Sequence, residues 1–224
     1  SFNQKCLFAC LVIFVNLSKK QLSLSAQELY KKYKTSEHQL DIYKILKELG
    51  IKVKITEEIK NQDVIAEINF TKKEITLFGK NVFSDTQHFF ALAHEIGHFY
   101  LGHDKYLITE QKTDIHSTNI VPIGINANIN RMEFQANYFA ACLVLPKTFL
   151  TQIFIKLLKE HNVLHRGFSA LYIDDQPCNI ENYHKICLPL CRFFNVSQET
   201  LKIRLTELDL ASFNRTFDQN LSKH

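Results

Sequence analysis

The first regular pattern in the chain is a helical spacing of apolar residues over positions 26–49, with a break near Thr35. Ser25 and Glu28 have the spacing of a capping box, which predicts that the helix begins after Ser25. Gly50 predicts its end, because glycine adopts the left-handed backbone of a helix terminus without steric cost.

After this helix, the apolar pattern changes from helical spacing to alternation. Residues 51–55 alternate between apolar and lysine side chains, which predicts a strand with one face in water. Residues 64–70 and 74–78 also have the composition of strands, and residues 71–73 between them predict a hairpin. A small sheet among helices indicates an α+β fold.

The second half of the chain is mainly helical by pattern. Residues 104–130 are polar and predict a long irregular connection. A strong helical pattern from residue 131 is stopped by Pro146, and residues 150–164 predict another helix. We divide the chain into an apolar N-terminal segment (1–22), a domain (23–146) and a helical C-terminal segment (147–224).

The C-terminal segment contains a pattern that resembles a helix-turn-helix. Residues 193–208 predict a helix, a turn at Asn195 and a second helix capped by Ser197. A DNA-recognition helix usually carries basic or amide side chains near its start, whereas Glu199 here would repel phosphate. We therefore expect this surface to hold a protein rather than nucleic acid.

Composition places few limits on function. The chain has 224 residues, of which 46% are hydrophobic and 22% charged, and its net charge of +4 does not by itself indicate nucleic acid. Six cysteines without a Cys-x-x-Cys pair predict buried free thiols in a reducing compartment. The apolar run at residues 6–15 is shorter than the 20 or so residues that span a bilayer. We expect a cytoplasmic protein, and the alternative is export through residues 1–25.

The sequence His94-Glu95-Ile96-Gly97-His98 carries the clearest chemistry of the chain. Residues four apart lie on one face of a helix, so His94 and His98 can bind one metal ion. Glu95 lies beside them, where a general base for an attacking water belongs. The alternative is a core helix that happens to contain two histidines, so the motif needs a helical context and a third ligand.

The flanking residues favour that helical context. Ser84 and Gln87 have capping-box spacing, and Gly102 predicts the helix end. Gly97 costs about 1 kcal/mol relative to alanine inside a helix, and we expect the close approach of another backbone to explain it.

Glu133 is the candidate third ligand. It precedes Ala136 by three residues and Asn137 by four, in a helix whose alanine-rich face allows close packing on the metal helix. A third protein ligand would leave one position of a zinc ion open, as a catalytic site requires. Two alternatives remain: Glu133 closes a capping box with Asn130, or Glu110 supplies the carboxylate.

Three segments together resemble the ImmA/IrrE metallopeptidases. They are the stretch from Phe90 through the histidine motif to Leu-Gly-His (90–103), the alanine-rich helix up to the proline (133–146) and the closing segment (193–210). The resemblance implies a zincin-type active-site helix beside a small sheet, followed by a helical C-terminal segment.

The resemblance also implies roles for particular residues. His94, His98 and Glu133 would bind zinc, and Glu95 would be the catalytic base. The implied activity is cytoplasmic cleavage of a helix-turn-helix repressor, which releases stress-response or mobile-element genes. A DNA- or protein-binding regulator with a structural or vestigial zinc is the alternative function.

Two features qualify the resemblance. Asp209 stands where the family commonly has glycine. His103 falls one residue short of the third histidine of the metzincins, which argues against that class. We interpret His103 as a residue that supports the metal ligands from behind, at the helix end, where a cationic side chain favours the helix dipole. Asn137 is a second candidate for supporting the metal ligands from behind.

Overall fold

The computed structural model describes residues 17–35, 39–57, 65–79, 86–104, 123–163 and 169–214, with side chains from residue 128 in the fifth range. In these ranges the helices are α1 (Lys19–Tyr33), α2 (Ile42–Leu49), α3 (Thr86–Tyr100), α4 (Ile123–Val144), α5 (Lys147–Glu160), α6 (Pro177–Phe194) and α7 (Gln198–Glu207). The strands are β1 (Lys52–Thr56), β2 (Ala66–Asn69), β3 (Glu74–Phe78), β4 (Leu171–Ile173) and β5 (Ala211–Phe213). The predicted α+β class is confirmed. Ser84, Glu110 and the apolar run at residues 6–15 lie outside the described residues.

The first two helices correct one predicted boundary and confirm another. α1 begins after Ser18, whose hydroxyl accepts a hydrogen bond from the Gln21 amide in a capping box. The predicted start after Ser25 is therefore wrong, because the capping hydroxyl lies two turns earlier. Gly50 ends α2 with a left-handed φ of 71°, as predicted.

The larger sheet has the strand order β1-β3-β2, with β1 parallel and β2 antiparallel to β3. The predicted hairpin between β2 and β3 is confirmed. Ile75 and Leu77 on the central strand are buried at 0% and 1% exposure, so one face of the sheet packs on the core. The opposite face carries Lys54, Thr76 and Glu67 in register across the three strands.

α3 and α4 pack against each other at very short range. A β-carbon added to Gly97 would lie 3.2 Å from the backbone oxygen of Ala136, 3.3 Å from its α-carbon and 3.3 Å from Cδ1 of Phe139. Ala136, Phe139 and Ala140 are fully buried. The expected close approach of another backbone at Gly97 is therefore confirmed.

The start of α4 differs from the sequence prediction. The helix begins at Ile123, so residues 123–130 are helical and not part of an irregular connection. Glu133 lies well inside the helix, and the alternative that it closes a capping box with Asn130 is wrong. Asparagines in this region lower helix propensity, so the local sequence does not indicate a helix before residue 131.

The C-terminal helices confirm the predicted turn and cap. Asn195 ends α6 in the left-handed conformation, with a φ of 52°, and the Ser197 hydroxyl accepts a hydrogen bond from the Thr200 amide at the start of α7. β4 and β5 pair in parallel as a second small sheet. A single apolar core extends from Ala26 to Ala211 and unites these helices with the metal helix.

None of the described helices is by itself both long and apolar enough to cross a bilayer, and one bent pair, Asn128–Val144 with Lys147–Glu160, has the length and composition to do so together.

Candidate metal centre

Three predicted ligands meet at the junction of α3 and α4. His94 Nε2 lies 3.3 Å from Glu133 Oε2, and His98 Nε2 lies 3.3 Å from Glu133 Oε1. The two Nε2 atoms are 2.9 Å apart. In the part of the chain that the structure describes, these three side chains form a group whose spacing could hold a metal ion. Packing of the two helices thus brings together residues 35 or more positions apart in sequence.

The spacing fits a small tetrahedral ion. Ligand atoms at about 2.0–2.1 Å from such an ion are about 3.3–3.4 Å from one another. The two histidine–carboxylate distances of 3.3 Å match this value, and the 2.9 Å between the imidazole nitrogens needs only a small opening. Two imidazoles and one carboxylate fit a metal cofactor and leave room for a further ligand.

The charge state of Glu133 suits a ligand. Contact with the imidazoles of His94 and His98 holds the pKa of its carboxyl far below the ordinary range. The group is therefore ionised at neutral pH, as a carboxylate ligand must be. Its side chain is 45% exposed, so the ligand group opens to the cleft described below.

Each ligand histidine is held from behind by a second side chain. His94 Nδ1 lies 3.0 Å from Asn137 Oδ1, so the imidazole donates to an amide oxygen and directs Nε2 towards Glu133. His98 Nδ1 lies 3.1 Å from Nδ1 of His103. The structure therefore brings both residues expected to support the ligands, Asn137 and His103, into contact with them.

The expected positive charge on His103 is wrong. The residue is buried at 3% exposure, and this burial, together with the charge of His98, lowers its pKa to about 4. His103 is therefore neutral at neutral pH. At the helix end it makes a hydrogen bond and does not supply a positive charge that would favour the helix dipole. The sequence shows proximity to a helix end but not burial.

Glu95 lies in the same cleft with its side chain largely removed from water. The residue is 8% exposed, and burial raises the pKa of its carboxyl although the charges of His94 and His98 act in the opposite direction. A carboxyl group whose pKa moves towards neutrality is suited to accept a proton and give it back. Its role as a catalytic base remains a prediction.

A cleft of about 1040 Å³ runs past the three ligands and Glu95. Residues 65–70, which include β2, line one side, and β2 is an outer strand of its sheet. Ser197 and Thr200, at the start of α7, also line the cleft. Sequence reasoning did not place these two residues at the site, because their contact with it depends on how α7 packs.

Sequence reasoning also missed Gln135. Its Oε1 lies 3.1 Å from His103 Nε2, and the residue is 4% exposed. The sequence signal was weak: Gln135 is an amide side chain between Phe134 and Ala136, next to the apolar face of the helix and two residues before Asn137. Such a residue needs a hydrogen-bond partner when it is buried.

The surface of α7 offers little positive charge. Arg204 is buried at 2% exposure and donates to the backbone oxygen of Leu145 and to Glu207. Ile203 is 59% exposed, and Glu199 occupies the first turn. Whether this helix pair contacts a protein or nucleic acid stays a prediction.

Comparisons with known proteins agree with the fold. A Mycobacterium tuberculosis transcriptional regulator matches with a TM-score of 0.52 and 16% sequence identity, over 83% of this chain and 46% of that chain. The present chain thus spans less than half of the regulator's length, and identity this low shows a shared fold alone. No curated protein sequence matches the chain at a significant level.

A family model matches the part of the chain that carries the site. The model for the IrrE N-terminal-like domain, peptidase M78, covers residues 46–206, which include all three ligands, Glu95 and the helices that carry them. This match extends over more than half of the sequence and agrees with the family that the motifs resemble. The chain therefore belongs to the peptidase M78 family of IrrE N-terminal-like domains.

Proposed function

We propose that the protein is a zinc-dependent endopeptidase. The observation that carries the proposal is the convergence of His94, His98 and Glu133 beside the buried carboxyl of Glu95, in a cleft of about 1040 Å³. Two imidazoles and one carboxylate form the ligand set of several zinc peptidases, and three protein ligands leave the open position that catalysis needs. The family assignment supports the same reaction class.

The protein's own groups would divide the work as follows. His94, His98 and Glu133 would hold the ion, and Asn137 and His103 would keep the two imidazoles in orientation. When bound, zinc supplies a Lewis acid that polarises the scissile carbonyl and acidifies the attacking water. Glu95 would take the proton of that water and pass it to the leaving amine, a task that its raised pKa supports.

The cleft favours an extended peptide as substrate. β2 is an outer strand whose backbone groups on one edge have no neighbouring strand in the described sheet, and an extended peptide can hydrogen-bond to such an edge. We propose a helix-turn-helix repressor as the physiological substrate in the cytoplasm. The family resemblance supports this substrate, and the structurally similar protein is itself described as a transcriptional regulator.

The test combines metal content with peptide cleavage. Wild type, Glu95→Gln, Glu133→Gln and the control Glu160→Gln are compared; Glu160 is paired with Lys156 on α5 and does not line the cleft. Cleavage is read by mass spectrometry on a proteome-derived peptide library. We expect one zinc per chain and cleavage for wild type and control, zinc without cleavage for Glu95→Gln, and loss of both for Glu133→Gln.

Two outcomes contradict the proposal. Cleavage by Glu95→Gln at the wild-type rate would remove Glu95 as the base. A wild-type protein that binds zinc but cuts no peptide of the library would leave a metal-binding scaffold and overturn the peptidase activity.

A further inference from the structure

We propose that Gln135 is a positioning residue of the metal centre, which orients His98 through a chain of hydrogen bonds that runs by way of His103. The inference rests on the proposed metal site and adds a residue to it. Gln135 does not line the cleft, and its amide oxygen reaches the ligands by way of His103.

The chain of contacts is continuous and closed to water. Gln135 Oε1 lies 3.1 Å from His103 Nε2, and His103 Nδ1 lies 3.1 Å from His98 Nδ1. The exposed fractions of Gln135, His103 and His98 are 4%, 3% and 3%. Water cannot replace a missing partner at this depth, so each link must be satisfied within the protein.

The chemistry of Gln135 sets the direction of every bond. An amide oxygen only accepts, so His103 must carry a proton on Nε2 and donate it to Gln135. The neutral imidazole of His103 then has its lone pair on Nδ1, where it accepts the Nδ1 proton of His98. With its proton on Nδ1, His98 directs the lone pair of Nε2 towards Glu133 and the metal position.

The opposite order of protons is incompatible with metal binding. If His103 donated from Nδ1, His98 would accept there and would carry its own proton on Nε2, facing Glu133. A protonated nitrogen has no lone pair for a metal ion. Gln135 therefore favours the tautomer of His98 that can act as a ligand.

The fold brings these residues together by two local devices. At the end of α3, Gly102 adopts a left-handed φ of 72°, and the His103 amide donates to the His98 backbone oxygen at 3.0 Å. This turn folds His103 back beside His98. On α4, Glu133 and Gln135 lie two positions apart, so their side chains leave the helix about 200° from each other. They therefore lie on opposite flanks of Ala136, the residue that contacts Gly97. One helix therefore supplies a ligand in front of α3 and a support behind it.

His94 offers a comparison within the same site. Its Nδ1 meets the amide oxygen of Asn137 directly, at 3.0 Å. The two ligand histidines therefore end on amide oxygens of the same helix, one by a single hydrogen bond and the other through an intervening imidazole. This parallel supports an orienting role for Gln135 rather than a packing role alone.

The experiment measures zinc affinity by competition with a chromophoric chelator on the full chain. The variants are Gln135→Met, which keeps length and volume but has no acceptor, His103→Phe, the double variant, and Met132→Leu as a buried apolar control on α4. We expect Gln135→Met and His103→Phe each to weaken zinc binding by about 10–100-fold, the range for supports of metal ligands. The double variant should be no weaker than His103→Phe alone, because Gln135 acts through His103.

A second measurement reads the imidazoles directly. Long-range ¹⁵N spectra of the wild type should show His98 protonated on Nδ1 and His103 on Nε2, and Gln135→Met should show mixed tautomers. Unchanged zinc affinity in Gln135→Met, or effects of the two variants that add, would overturn the inference. If Gln135→Met does not fold, a wild-type His98 without a proton on Nδ1 would overturn it equally.

The outcomes separate this inference from the proposed function. Zinc binding by the wild type that is unaffected by Gln135→Met refutes only the role of Gln135. Absence of zinc binding in the reconstituted wild type refutes the metal site and this role together.

Discussion

Replacement of Gly97 by alanine tests the packing on which the metal centre depends. At an unhindered helix position this substitution stabilises a protein by about 1 kcal/mol. Here the new β-carbon would lie 3.2 Å and 3.3 Å from backbone atoms of Ala136 and 3.3 Å from Phe139. Overpacking of this kind costs about 1–3 kcal/mol, because a buried backbone cannot turn away as a side-chain end can. The expected net effect of Gly97→Ala is a loss of about 1 kcal/mol in the free energy of unfolding.

The same strain should reach the ligands. Ala136 lies one turn after Glu133 on α4, so a shift of that helix moves the carboxylate away from His94 and His98. We expect weaker zinc binding together with a fall in Tm of about 2–4 °C, as measured by calorimetry with and without zinc. The series Gly97→Ala, Gly97→Ser and Gly97→Val should show increasing losses with side-chain volume. A rise in Tm of about 2–4 °C for Gly97→Ala, with unchanged zinc affinity, would refute the argument and show that α4 yields freely.

Three further predictions concern stability. Asp209 has a left-handed φ of 56°, so Asp209→Gly should raise the free energy of unfolding in urea by up to about 1 kcal/mol, and equal stability would contradict the backbone argument. Arg204→Met should lower the free energy of unfolding by about 2 kcal/mol, because the Leu145 oxygen and the Glu207 carboxylate lose a buried partner. Burial alone would raise the pKa of Glu207, but the hydrogen bond from Arg204 holds it below its ordinary value, so this stability is present above the unfolded pKa and is lost as pH falls. Arg204→Met should reduce this loss of stability at low pH, as measured by urea unfolding at several pH values. Burial raises the pKa of Tyr30 to about 12, so the contribution of the neutral Tyr30 to the free energy of unfolding is complete below about pH 10 and is lost as pH rises towards 12. Tyr30→Phe should remove that loss of stability at alkaline pH.

The structure gives a physical reason for one departure of this chain from its family. Asp209 follows the end of α7 in a conformation that glycine adopts at no cost. Its amide donates to Thr206 and the next amide donates to Leu205, so the backbone turn is formed with aspartate in place. Aspartate is among the residues that tolerate this region, and the departure alters stability rather than the fold.

Local chemistry explains which predictions succeeded. The spacing of His94 and His98, the helix end at Gly50 and the cap at Ser197 each depend on residues within one or two turns, so the sequence alone determined them. The start of α4 was not predictable in this way. Its first turns contain asparagines, which have a low helix propensity, so no local signal favours a helix before residue 131.

The spacing of the residues was enough to show that two imidazoles share a helix face, that Glu95 stands beside them and that the chain resembles the metallopeptidases. The packing of the helices was needed to show that Glu133 meets those imidazoles, that His103 is buried and neutral, and that Gln135 completes the chain behind His98. These contacts join residues far apart along the chain. Their distances depend on the approach of two helices at Gly97, and no local pattern encodes that approach.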